Sequence, residues 1–262
     1  MTRSSGSVGE LAPRRLLLLC VRRTSLTRRN GTGTSYSYDP VSRLSQLSHD
    51  MAGTTHDLTL GFSYNPAGEI VSRTSSNDVY AFTGHTSGTV AETPNGLNQL
   101  AVRNGAAVPH DAKGNVARDP TTAGLDPQSS APYSYGYGPE NHLTTVYGPY
   151  WTGTLNYDGL DRLHSAGAGG RTYFGYDGEN RVSEHVEGDT TLRVLHGPGV
   201  DEPLVTWDGD GRRFLHADER GSIIAISNAS GAVANVNTYD EYGNGPSTNR
   251  GRFQFTGKPT RR

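Results

Sequence analysis

A chain of 262 residues with 33% apolar and 19% charged residues, 34 Gly and 14 Pro holds too little aliphatic material for a thick helical or α/β core. Its 14 Tyr, 6 Phe and 2 Trp equally exclude plain disorder, and a net charge of −2 gives the whole chain no electrostatic case for nucleic acid. A single cysteine, Cys20, excludes an internal disulfide and a thiolate metal site.

Residues 1–30 stand apart, with seven Arg against one Glu, a net of +6, so that the remaining 232 residues sum to −8. This Arg-rich segment reads as disordered. Its apolar run, Leu16 to Val21, is six residues long, too short for a membrane span of ~20 or a signal-peptide core of ~7–15. Leu19 before Cys20 is too bulky for a lipoprotein cleavage box. No export signal is evident.

From residue 31 onward one phrase recurs: aromatic, any residue, aromatic, Asp, a Gly- or Asn-bearing turn, then Arg and an aliphatic. It reads YSYDPVSRL at Tyr36–Leu44 and FSYNPAGEI at Phe62–Ile70, with a looser HDAKGNV at His110–Val116. Better copies follow as YGYGPENHL at Tyr135–Leu143, LNYDGLDRL at Leu155–Leu163 and FGYDGENRV at Phe174–Val182. The beat runs Tyr137, Tyr157, Tyr176, His196, His216 and Tyr239, at spacings of 20, 19, 20, 20 and 23, after the earlier Tyr38 and Tyr64.

Each unit reads as a β-hairpin. Phe174 and Tyr176 lie two apart and share a strand face, while Asp177-Gly178-Glu179-Asn180 is turn chemistry. Asp39, Gly68, Asp158, Asp177 and Gly178 are the expected turn formers, and the aromatic and His markers the expected packing residues. A hairpin of roughly 20 residues cannot bury its apolar face alone, so neighbours must stack. The expected class is all-β, an array of antiparallel hairpins forming part of an open, shell-like strip. An ordinary β-sandwich does not repeat one aromatic-Asp-turn phrase, and a propeller needs a longer period of ~40–45 residues.

The phrase resembles the YD repeat of bacterial Rhs proteins, a family related in this repeat to teneurins and to the insecticidal Tc toxin shells. Longer stretches carry the same resemblance: NGLNQL at Asn95–Leu100, VLHGPGVDEPLV at Val194–Val205, FLHADERGSIIA at Phe214–Ala225, NTYDEYGN at Asn237–Asn244 and RFQFTG at Arg252–Gly257. They divide the chain into degenerate hairpins over 31–132, core hairpins over 133–257 and a short basic tail at 258–262. The resemblance implies a β-shell enclosing a C-terminal toxin domain, delivered with secretion machinery, and hence a secreted or cell-surface location. Ser42, Glu69 and Gly138 depart from the phrase at turn positions. The tyrosine-rich closing segment of the family does not follow residue 257, so both ends read as frame-shifted or mis-started translation and the chain as a non-catalytic piece of a longer frame.

Nine His invite a metal or acid–base role, but no HxxxH or HExxH spacing occurs. His110, His196 and His216 take the tyrosine place of the repeat and read as flat rings on a sheet, polar nitrogen toward water. His216, Asp218 and Glu219 form a tight polar cluster in which Asp218 reads as a turn former. No G-x-S-x-G elbow is present, and Gly167–Gly170 lacks the Lys-Ser/Thr of a phosphate loop. No enzyme, cofactor, metal or nucleic-acid partner is expected. A second class of function is a cell-surface module holding glycan or protein on exposed aromatics, with Trp151 and Trp207 as anchors.

Overall fold

Period-two burial builds the strands. In LTLGFSY, Leu58, Leu60 and Phe62 are buried and alternate with more exposed neighbours, as a strand with one covered face requires. The computed structural model describes residues 22–123 and 130–260. Strands β1 (Ser25–Thr27), β2 (Gly33–Tyr38), β3 (Leu44–Asp50), β4 (Leu58–Tyr64) and β5 (Ile70–Ser75) pair antiparallel in chain order as a five-stranded sheet. Strands β6 (Glu92–Pro94), β7 (Leu100–Arg103) and β8 (Ala106–Ala107) make a small three-stranded sheet.

The third sheet has twelve strands, again in unbroken chain order. It runs through β9 (Arg118–Asp119), β10 (Tyr133–Tyr137), β11 (Leu143–Tyr147), β12 (Thr152–Tyr157), β13 (Leu163–Gly167) and β14 (Thr172–Asp177). It continues through β15 (Asn180–Val186), β16 (Thr191–His196), β17 (Pro203–Asp208), β18 (Gly211–Ala217), β19 (Ile223–Ser227) and β20 (Val233–Val236). The sheet is open, with β9 and β20 at its edges. The all-β hairpin array expected from the sequence is what forms.

Two expected boundaries shift. β1 lies inside the stretch 1–30 that reads as disordered, because Leu26 and its neighbours pair with β2 and Arg28 is buried. The twelve-stranded sheet begins at β9, before residue 132. Leu16–Leu19, Cys20, Val21, Arg261 and Arg262 lie outside the described residues.

The five-stranded sheet lies against the C-terminal end of the large one. Leu47, Leu58, Leu60 and Phe62 pack on Ile224, with Tyr36, Tyr64 and Tyr239 around them. Ile223 and Ile226 pack instead on Val194, Leu215 and Phe253, the last carried by the segment after β20. β19 is therefore buried at all five positions. Polar bonds tie the sheets further: Asn30 Nδ2 donates to Ser227 Oγ and to the Asn228 carbonyl, both at 2.9 Å. Arg23 pairs with Glu202, and Arg73 Nε with Glu219 at 2.8 Å.

Most turns of the repeated phrase share one geometry. In the Asp39 turn the Asp39 N–H donates to the Arg43 carbonyl and the Ser42 N–H to the Asp39 carbonyl. Ser42 then sits at φ 80°, in the left-handed region where Gly68, Gly114 and Gly221 stand in sister turns. An L-residue there is strained by its Cβ, so Ser42→Gly should stabilise the protein by about 0.5–1 kcal/mol, read from the urea midpoint at constant slope.

Candidate functional site: the tyrosine ladder and the buried histidine pair

The recurring phrase resolves into a device that binds a hairpin to the one before it. The Tyr64 hydroxyl donates to the Leu44 carbonyl at 2.7 Å, and Leu44 is the residue paired with Tyr38 across the preceding hairpin. Tyr157 reaches Leu143 and Tyr176 reaches Leu163, each at 2.9 Å, and these are the partners of Tyr137 and Tyr157. Tyr137 donates to the Val116 carbonyl at 3.2 Å, where Val116 bridges His110. His196 donates from Nε2 to the Arg181 carbonyl at 2.9 Å, Arg181 being the partner of Tyr176. Tyr239 closes the series on Ile223 at 2.9 Å, and Tyr38 reaches back to Arg23 at 2.9 Å.

A second contact accompanies these bonds. The residue just before the acceptor covers the tyrosine ring: Arg43 lies over Tyr64 at 4.6 Å and Arg162 over Tyr176 at 4.8 Å. Arg22 covers Tyr38 at 5.2 Å. His142 stands where the phrase has Arg and stacks on Tyr157 at 4.5 Å, so the substitution keeps the contact. The same Arg is held from its own turn, since Arg43 Nε bonds Asp39 Oδ2 at 2.7 Å and Arg162 Nε bonds Asp158 Oδ2 at 2.8 Å.

The turn carboxylates also cap backbone. Asp158 Oδ1 accepts from the N–H groups of Leu160 and Arg162 at 2.9 and 3.0 Å. Asp39, Asp111, Asp218 and Asp240 repeat this two- and four-residue reach, and Asn95 and Asn228 use an amide oxygen for it. The Arg162 side-chain bond, with these N–H groups, lowers Asp158 to about 2. Gly68 holds the positive-φ corner of its turn at 88°.

Asp177 and Gly178 depart from this geometry. Their hairpin closes in two residues, with Asp177 paired directly to Asn180 and Gly178 at φ 58°. No paired reach from the Asp177 carboxylate to backbone N–H forms among the described residues. Asp177 belongs to the ladder of β14, and the shorter loop is why Arg181, one residue early, becomes the acceptor for His196.

His216 is placed differently from its expected role. In FLHAD the residue before Asp is Ala217, and Ala217 pairs with Ile223 as the markers pair in other hairpins. His216 therefore points to the opposite face, fully buried, with Nε2 2.8 Å from Ser227 Oγ, not toward water. Parity within the phrase carried that signal. His49, which sequence patterning did not single out, meets His216 edge to face with ring centroids 5.6 Å apart.

His49 is tied on both nitrogens. Its Nε2 lies 3.0 Å from the Ala217 carbonyl, which only accepts, so the proton sits on Nε2. Its Nδ1 lies 3.0 Å from Thr34 Oγ1, which itself accepts from Arg28 Nη1 at 2.8 Å. Arg28 also donates to the Leu215 carbonyl at 2.9 Å. Burial, then the nearby Arg28 charge, lowers His49 to about 4 and His216 well below its usual value. Burial likewise lowers Arg28 to about 10 and, followed by the Glu219 charge, raises Asp218.

Other candidates are accounted for by packing. Trp151 packs edge-on against Tyr133 at 5.3 Å, and Trp207 lies in β17 opposite Arg193 and Arg212. A groove of about 600 Å³ runs between the face of β16–β20 and residues 249–260, lined by Asp208, Arg213, Asn235, Arg250, Arg252 and Phe253. Arg252 is committed there to Glu184, with Nε 2.8 and 2.6 Å from the two carboxylate oxygens. Among the described residues no three His, Cys, Asp or Glu side chains cluster as a metal site, and no helix is long and apolar enough to cross a membrane.

No protein-family model matches the chain. A curated protein, the tRNA3(Ser)-specific nuclease WapA of Bacillus spizizenii, is 26% identical over 163 residues, covering 60% of this chain and 6% of that protein. Among solved structures, the TcdB2-TccC3-TEV crystal structure aligns at TM-score 0.41 with 15% identity, covering 90% of this chain and 16% of that one. The Photorhabdus luminescens Tc holotoxin pore aligns at TM-score 0.36 with 14% identity, covering 82% of this chain and 15% of that one. The chain spans a small part of each.

Tyr176→Phe removes one hydroxyl and leaves the ring under Arg162. It should cost about 1 kcal/mol in urea unfolding, since one part-buried hydrogen bond is lost. The Asp158 carboxyl should titrate near 2 by NMR in the native protein and move up toward 3.8 in Arg162→Gln. Because its folded value lies below the unfolded one, its contribution is present above pH 3.8 and is lost as pH falls through about 2.

Proposed function

We propose that this chain is a stretch of wall in an Rhs-type β-shell, acting by confinement and not by catalysis. The single observation that carries this reading is the ladder: Tyr64, Tyr157, Tyr176 and His196 each bond a carbonyl of the preceding hairpin, which joins into sheets units that cannot fold singly. The partial match to WapA, a tRNA nuclease by name, and the ordered Rhs-like stretches support the same class. In this reading the enclosed cargo is a toxin domain of the same polypeptide, exported to act on a neighbouring cell.

Cryo-electron microscopy of the full gene product tests the wall directly. The expected result is a hollow shell with these hairpins contiguous in its wall; an extended or solid hairpin array without a lumen overturns it. A glycan array separates the competing class of binding module, because Tyr147 and Tyr150 stay exposed beside Trp151. The wall predicts no dose-dependent sugar binding, whereas binding abolished by Trp151→Ala would establish the module instead.

A further inference from the structure

We propose that the His49–His216 contact is a pH-operated latch, closed at neutral pH and released on acidification, that holds the five-stranded sheet against β18 and β19. The geometry admits only neutral His49. Its Nε2–H is consumed by the Ala217 carbonyl, and its Nδ1 lone pair accepts the Thr34 hydroxyl hydrogen, whose oxygen is taken by Arg28. A proton added at Nδ1 faces Thr34 Oγ1 with a second donor and deprives the hydroxyl hydrogen of its acceptor. It also sets an imidazolium beside a buried guanidinium.

His216 deepens the effect. Its Nδ1 is buried with no hydrogen-bond partner among the described residues, so the charged ring, with a hydrogen on both nitrogens, leaves an N–H unpaired. The groups around the pair offer no counter-charge. Arg28 faces both rings after β1, the two rings face each other from β3 and β18, and Tyr36 of β2 lies beside Arg28. Glu202, before β17, is engaged by Arg23. Asp218 turns its carboxylate to the N–H groups of Arg220 and Ser222, and Glu219 pairs with Arg73. No carboxylate among the described residues bonds either ring.

The direction follows from linkage. A ring whose folded value is about 4 against 6.5 when exposed leaves the closed state short of a proton between those values. Closure is thus complete above pH 6.5 and weakens as pH falls toward about 4. The latch is a property of this chain's own interface and is independent of whether the chain walls a shell.

Amide hydrogen exchange by mass spectrometry on the full chain, corrected for the intrinsic pH dependence, tests it between pH 7.5 and 4.5. Peptides spanning β3 and β19 should lose protection by about tenfold per pH unit for each ring below pH 6.5, while β14 and β15 hold theirs. In His49→Gln the loss in the same peptides should shrink by about tenfold per unit. Unchanged protection in the wild type, an equal loss in the variant, or loss from all strands at one pH overturns the latch. Should the variant not fold, exchange of the imidazole C2 hydrogen in the wild type reads each ring directly. A midpoint at or above 6.5 for His49 refutes the proposal.

Discussion

Each hairpin that carries the repeated phrase has to answer for a backbone carbonyl at the point where its return strand leaves the turn. At that point a bulge interrupts the ladder, as the register shifts at Tyr38, Tyr64, Tyr137, Tyr157 and Tyr176 show. The neighbouring strand cannot bond regularly to an interrupted ladder, and an unmet carbonyl in a half-buried place is costly. A tyrosine from the next hairpin supplies the donor. Its ring fills the corner and its hydroxyl spans the gap, two tasks that Phe or Ser cannot combine. The arginine over the ring and the aspartate beneath that arginine orient this one bond.

The ladder lacks a ring at Ala217, and there the other sheet enters. His49 takes the Ala217 carbonyl from across the interface, and the surrounding contacts are polar: Thr34, Arg28, Asn30 and Ser227. Stacked sheets usually meet through interdigitated aliphatic side chains. This pair meets partly through Leu47, Leu58, Leu60 and Ile224, and partly through a hydrogen-bonded cluster whose geometry tolerates little displacement. A chain with so low an apolar fraction carries polar groups into its core, and most of those at this interface are hydrogen-bonded.

Turn positions and markers were legible because each depends on a residue type at a fixed offset. Asp reaches its own backbone two and four residues on, Gly takes the left-handed corner, and Tyr meets the carbonyl behind it. The exceptions were single-residue matters. Asp177 lies in a loop shortened by tighter pairing, and His216 lies one place before the marker, which in a strand means the opposite face. The stacking of sheets was not legible, since it joins residues about 170–200 positions apart. Its participants in the first sheet, Arg28, Thr34 and His49, belong to no repeated phrase. Arg28 even sits in a stretch whose composition argues for disorder, yet its guanidinium is spent on Thr34 and the Leu215 carbonyl.

The ladder bonds all point the same way along the chain: the donor lies in the later hairpin and the acceptor in the earlier one. When a ladder tyrosine leaves the ribosome, the residue bearing its acceptor carbonyl has already been made, an order that allows assembly to follow synthesis from the N-terminal side. No ladder bond has to wait for an acceptor not yet made. The five-stranded sheet is held back longest. Its polar face finds Leu215, Ala217 and Ser227 only after most of the large sheet has been translated, and until then Arg28 and His49 keep their water.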